Sequence, residues 1–186
     1  MKPRVGKCTL SDDWTERVFD VTGKLVIDYR ARDWCKLPYP GHPHGCPNYE
    51  KRSVCPPQAP RIEHWLDLSQ PHWLVMVRFD LATFALGMKQ KHPGWSEKQC
   101  RCLLYWQSGL RAKLLTTCKR FQQAHPGSVL TLLPEAMGVH VMNTARKLNV
   151  PIRPRLRDVV YKVALVGYSP SSASRSALQW ENVLHS

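Results

Sequence analysis

Cys35, Cys46 and Cys55 fall in one stretch, "CKLPYPGHPHGCPNYEKRSVCPP", together with two histidines and six prolines. Thiolates are soft ligands suited to zinc and to iron–sulfur clusters. The spacing C-x10-C-x8-C-P-P lacks the tight pairs of a zinc ribbon. Widely separated thiolates on an irregular, proline-rich loop suit a larger inorganic object. The expected object is a [4Fe–4S] cluster, with proline directly after a ligating cysteine as in the bacterial ferredoxin pattern. Its fixed φ and missing N–H stiffen the chain beside the ligand. Three cysteines satisfy three irons. The fourth takes a non-cysteine ligand, a distant cysteine or substrate, and an iron open to substrate acts as a Lewis acid or redox contact. His42, His44 and Cys118 are the candidates for a fourth ligand, although Cys118 also fits the buried stripe of a helix. The alternative is a structural zinc ion on the same three cysteines and His42 or His44.

The rest of the chain bounds this chemistry. Its 186 residues are 43% hydrophobic and 22% charged, an ordinary globular composition with room for a real core. No apolar run approaches the ~20 residues needed to cross a bilayer. "MKPRVGKCTLSDD" has no apolar stretch of a secretory signal, so a cytoplasmic, reducing location without membrane contact is expected. Seven cysteines there do not form a disulfide framework; Cys8, Cys100, Cys102 and Cys118 read as small buried hydrophobes. The net charge is +13, from 27 Lys and Arg against 14 Asp and Glu. Such an excess points to a polyanionic partner, DNA or RNA above all.

The elements that must position the cysteines follow from hydrophobic patterning. Arg17 to Val21 and Leu25 to Tyr29 read as strands of a hairpin turned at Gly23, delivering the chain to Cys35. The loop, residues 35–60, follows. "WLVMVRF" reads as a buried strand, and Gly87 with "KQKHPG" as a basic turn. From Ser96, an N-cap with a capping box to Gln99, one long helix is expected to run to "HPG" at 125–127. Its buried stripe is Cys100, Leu103, Leu104, Gln107, Leu110, Leu114, Cys118 and Phe121. "SVLTLLP" reads as a second strand. "EAMGVHVMNTARKL" reads as a shorter helix with Ala136, Val139, Met142 and Ala145 on one face, and "VVYKVALVGYS" as a further strand. The expected class is α/β, helices packed on a mixed sheet, in a single domain over 1–168 with a flexible tail over 169–186.

"GCPNYEKRSVCPP" resembles the C-P-x-Y-x(5)-C-P-P core of a family of uncharacterised prokaryotic proteins described as predicted metal-binding proteins. "PEAMGVHVMNTARKL" is similar to that family's later EAMG-type motif, which is followed by a helix. The likeness covers most of residues 35–167. It implies metal binding through Cys35, Cys46 and Cys55 and no agreed reaction. Many members carry a further C-x-x-C cluster that this chain lacks.

Other constellations have two readings each. Gln107, on the apolar stripe next to Tyr105, Trp106 and Arg111, contacts substrate or the cysteine loop, or is a satisfied core glutamine. Glu135 in "PEAMG", at a strand-to-helix junction, contacts a ligand or caps the helix. Arg153, Arg155 and Arg157 alternate in "PIRPRLRD", which in an extended chain aims all three one way, as a phosphate backbone requires. Lys89 and Lys91 form a second basic turn. Trp34 and Tyr39, flanking Cys35, shield a cluster or stack on a base. No Walker loop, G-x-G-x-x-G, G-x-S-x-G or H-E-x-x-H occurs. The leading reading is an iron–sulfur protein acting on nucleic acid or a nucleotide-like substrate. Its rivals are a zinc-stabilised nucleic-acid-binding module without catalysis, and a redox or cluster-carrier protein with an acidic protein partner.

Overall fold

Strand β1 spans Trp14–Asp20, β2 His72–Asp80, β3 Ser128–Thr131 and β4 Val159–Tyr168. The computed structural model describes residues 14–39, 41–150, 152 and 158–170. Among these, the strands form one sheet in the order β1-β2-β4-β3, every pair antiparallel. The α/β class is as expected, without the parallel pairs that a mixed sheet would carry.

Alternation along the central strands sends side chains to two cores. Val75, Val77 and Phe79 of β2 and Val160, Ala164 and Val166 of β4 share one buried cluster with Leu110, Leu114 and Cys118. Leu74, Met76 and Leu165 face the other way, toward Val21, Ile62, Leu66, Val139 and Ala145. Burial on both faces explains why "WLVMVRF" is almost continuously apolar. Each of the Val, Leu, Ile, Met and Phe side chains among them, fully buried, contributes about 1.5–3 kcal/mol.

The first face is covered by α2 (Leu81–Lys91) and α4 (Gln107–Ala124). The second lies under α1 (Ile62–Trp65), α5 (Val141–Lys147) and the 3₁₀ segment Pro134–Met137.

Four local expectations give way to tertiary packing. Leu25 to Tyr29 does not return along β1, whose partner is the longer, largely apolar β2, with Val18 opposite Val75. The chain turns at Gly23 and runs instead beside residues 138–140. His140 N–H donates to the Val26 carbonyl at 2.8 Å, and Asp28 N–H donates to the Gly138 carbonyl at 2.8 Å. "KQK" is the last turn of α2, not a loop; Asp80 caps that helix by accepting from the Thr83 N–H at 3.0 Å.

The long helix is also divided. The Ser96–Gln99 capping box is present, but it starts only α3 (Glu97–Cys100). A short 3₁₀ turn, Leu103–Tyr105, intervenes before α4. Resetting the register places Trp106, not Leu103 or Gln107, in the core, 5.3 Å from the Phe79 ring. Leu103 and Leu104 are exposed. In "PEAMG", Gly138 stops the 3₁₀ segment at φ +96°, so the helix begins only at Val141.

Candidate metal centre

Cys35 is near the end of the 3₁₀ helix Tyr29–Lys36, which Asp28 caps. Ala31 on that helix is buried, and Trp34 meets the edge of the His140 ring at 4.9 Å. These contacts fix Cys35 against the segment around Gly138. Tyr29 lies so close to Gly138 that a Cβ there would sit 2.4 Å from its ring. Its hydroxyl donates to Glu63, which ties the helix to α1.

The loop then doubles back. Tyr39 and His42 exchange backbone hydrogen bonds at 3.1 and 2.8 Å, closing a tight turn, and Gly45 N–H donates to the His42 carbonyl at 3.2 Å. Cys46 N–H donates to the Cys35 carbonyl at 2.7 Å. This approach requires glycine before Cys46. Gly45 has φ +83°, and a Cβ on it would lie 2.5 Å from the Cys35 carbonyl oxygen. Glu50, at φ +62°, folds the next segment so that its N–H reaches the Pro56 carbonyl at 2.9 Å.

Arg32 fastens the far end to the near one. Its Nη2 donates to the carbonyls of Pro57 and Ala59, both at 2.9 Å. One guanidinium thus holds the segment after Cys55 beside the helix that carries Cys35.

All three thiols are half-buried. Burial pushes the Cys35 thiol up, and Cys46, Cys55 and Glu135 push it further. Burial and Cys46 likewise raise Cys55, against a smaller opposing pull from Arg52. By type, three half-buried thiols on one proline-rich loop are the soft donors that a thiophilic metal takes. Among the described residues, no group of three or more His, Cys, Asp or Glu side chains is arranged to hold a metal ion as it stands.

The remaining candidates separate clearly. His42 is half-buried against Tyr39, with ring centroids 4.6 Å apart, and His44 is exposed. Cys118 is fully buried in the core beneath α4, among Leu110, Leu114 and Phe79, where burial pushes its thiol up to about 12. That is a packing position on the α4 side of the sheet, apart from the loop cysteines. Gln107 opens α4 exposed to solvent, so neither a core role nor a place on the buried stripe applies to it.

Glu135 lies beside the cysteine loop. Burial raises its carboxyl, while its own backbone N–H and Lys162 oppose the shift. Lys162 is itself lowered by burial and by Arg111, against the pull of Glu135. Arg111 therefore takes part in this charge group, although exposed on α4.

Of the basic residues, Arg153, Arg155 and Arg157 lie outside the described residues, as do Cys8 and residues 171–186. Lys89 donates to the carbonyls of Pro93 and Trp95, at 2.8 and 2.6 Å, and so closes its own turn; Lys91 is exposed beside it. Arg32 and Gly45 are the site residues that the cysteine pattern alone did not reveal; only the "GCP" tripeptide hinted at the second.

No family model, no curated protein and no solved structure matches this chain. No helix among the described residues is long and apolar enough to cross a membrane.

Proposed function

We propose that the chain holds a [4Fe–4S] cluster on Cys35, Cys46 and Cys55 and acts on nucleic acid or a nucleotide-like substrate. The observation that carries this reading is the backbone contact between Cys46 and Cys35, made on a glycine, with Cys55 on the same loop pushing the Cys35 thiol up. The thiolate forms of Cys35 and Cys55 thus meet the repulsion of a neighbouring thiolate, which a bound cation would relieve. Ligation requires the sulfurs to turn inward on this backbone. When bound, the cluster supplies Lewis-acid or redox chemistry at the iron that no thiolate holds.

The chain's own residues do the rest. Arg32 fastens the loop, half-buried Trp34 limits water beside its neighbour Cys35, and the net charge of +13 draws a polyanion. The motif resemblance in "GCPNYEKRSVCPP" points the same way. One placement favours a zinc ion instead: half-buried His42 lies in the turn leading to Cys46, which gives a Cys₃His set.

Anaerobic purification separates the two. Brown protein containing iron and acid-labile sulfide supports the cluster. Colourless protein with one equivalent of zinc overturns it in favour of the zinc-stabilised module. An iron–sulfur protein that binds no nucleic acid at any salt concentration is instead a redox or cluster-carrier protein.

A further inference from the structure

A second site lies on the outside of the cysteine loop. An open cavity of about 580 Å³ is lined by Tyr29, Arg32, Lys36, Tyr49, Arg61 and His64, with Asp33 and the prolines that follow Cys55 completing its wall. Its volume suits a ligand of nucleotide size. Three permanent cations face Asp33 in this wall, with Glu63 behind Tyr29 as the second carboxylate, so a positive excess of one remains and favours an anion.

The cations are also placed against aromatic faces. Lys36 Nζ lies 5.4 Å from the centre of the Tyr49 ring, and the Arg61 guanidinium 4.7 Å from that of Tyr29. Lys36 pairs with Asp33 at 2.8 Å, but both side chains are more than half exposed, so an incoming phosphate competes readily for the ammonium. Arg61 and His64 are exposed on the rim. Cations and aromatic rings lining one cavity match a phosphate joined to a flat base, the phosphate drawing Lys36 off Tyr49 and the base taking its place on the ring.

We infer that this groove is a nucleotide site, holding one phosphate between Lys36, Arg61 and His64 and one base against Tyr49. The inference rests on the proposed nucleic-acid partner and is independent of which metal the cysteines hold. Free nucleotides and single-stranded nucleic acid offer the same chemistry, and the test distinguishes them.

The test is fluorescence anisotropy of a labelled single-stranded oligonucleotide with the full chain, titrated over a range of salt. Lys36→Glu and Arg61→Glu should each weaken binding about tenfold and lower the salt slope by about one. Tyr49→Leu should weaken binding about tenfold with the slope unchanged, and Tyr49→Phe should restore it. Lys119→Glu, exposed on α4, should leave the slope unchanged. Metal content, measured on every variant, should stay constant. Competition by adenosine monophosphate identifies free nucleotide as a sufficient ligand; competition by oligonucleotide alone identifies the polymer, and either supports the site. Equal competition by inorganic phosphate or by polyglutamate overturns it, because then no base is read. Oligonucleotide binding indifferent to the Lys36, Arg61 and Tyr49 variants overturns the groove but leaves the proposed function standing. Absence of any oligonucleotide or mononucleotide binding overturns both the groove and the nucleic-acid part of that function.

Discussion

The amide of Cys46 donates to the carbonyl of Cys35 at 2.7 Å, although ten residues separate them. The contact exists because Gly45 adopts φ +83° with no Cβ to strike the Cys35 backbone. Gly45→Ala meets both a left-handed backbone and a clash with main-chain atoms that cannot rotate aside. We expect a stability loss of at least about 1–3 kcal/mol in denaturant titration and reduced metal retention. Gly41→Ala provides the control: φ is also +83°, but nothing lies within 4 Å. Equal losses for the two would show that the Cys35–Cys46 approach is not under steric control.

Arg32 tests how the loop is closed. Arg32→Ala leaves the Pro57 and Ala59 carbonyls without their charged donor, which costs about 2 kcal/mol. More tellingly, faster proteolysis within residues 50–60 should accompany weaker metal binding. Unchanged proteolysis would mean that other contacts hold the loop.

Cys118 and the loop cysteines should differ in reactivity. With its thiol pushed up to about 12 by burial, Cys118 should resist alkylation in the folded, metal-free protein, while Cys35, Cys46 and Cys55 react. Cys118→Ala should retain its metal and lose about 1 kcal/mol of stability. Loss of metal from that variant would return Cys118 to the ligand set.

Glu16 carries a pH dependence. Burial alone would raise its carboxyl, but hydrogen bonds from Lys113 and Arg120 outweigh it and hold the carboxyl below its ordinary 4.5. A group depressed on folding stabilises at pH above its unfolded value, and the gain disappears as pH falls through the folded value. The stability difference between wild type and Glu16→Gln should therefore be full at neutral pH and vanish in acid. Partly exposed partners limit it to about 1 kcal/mol, less in high salt. A difference that grows on acidification would contradict this ion-pair role.

The strands that form the core were legible because burial on two faces leaves a dense apolar run, as in "WLVMVRF" and "VVYKVALVGY". Helix boundaries were less legible. The periodicity through Cys100, Leu103 and Gln107 is real as a pattern, but Trp106 fills the space against Phe79 better than any residue in that register. The hairpin failed for a related reason: β1 finds a longer, more apolar partner in β2 than in Leu25 to Tyr29. At the site, the cysteines announced themselves by type and spacing. Arg32 did not, since a guanidinium that bonds carbonyls 25 and 27 residues away leaves no local signature.

Metal stoichiometry across single Cys→Ser variants tests the central claim most directly. Anaerobically purified wild type should contain about four iron and four sulfide per chain, and Cys35→Ser, Cys46→Ser and Cys55→Ser should each lose most of both while Cys102→Ser loses none. Wild-type protein without metal, or a triple variant of the loop cysteines that keeps its full complement, would contradict the account.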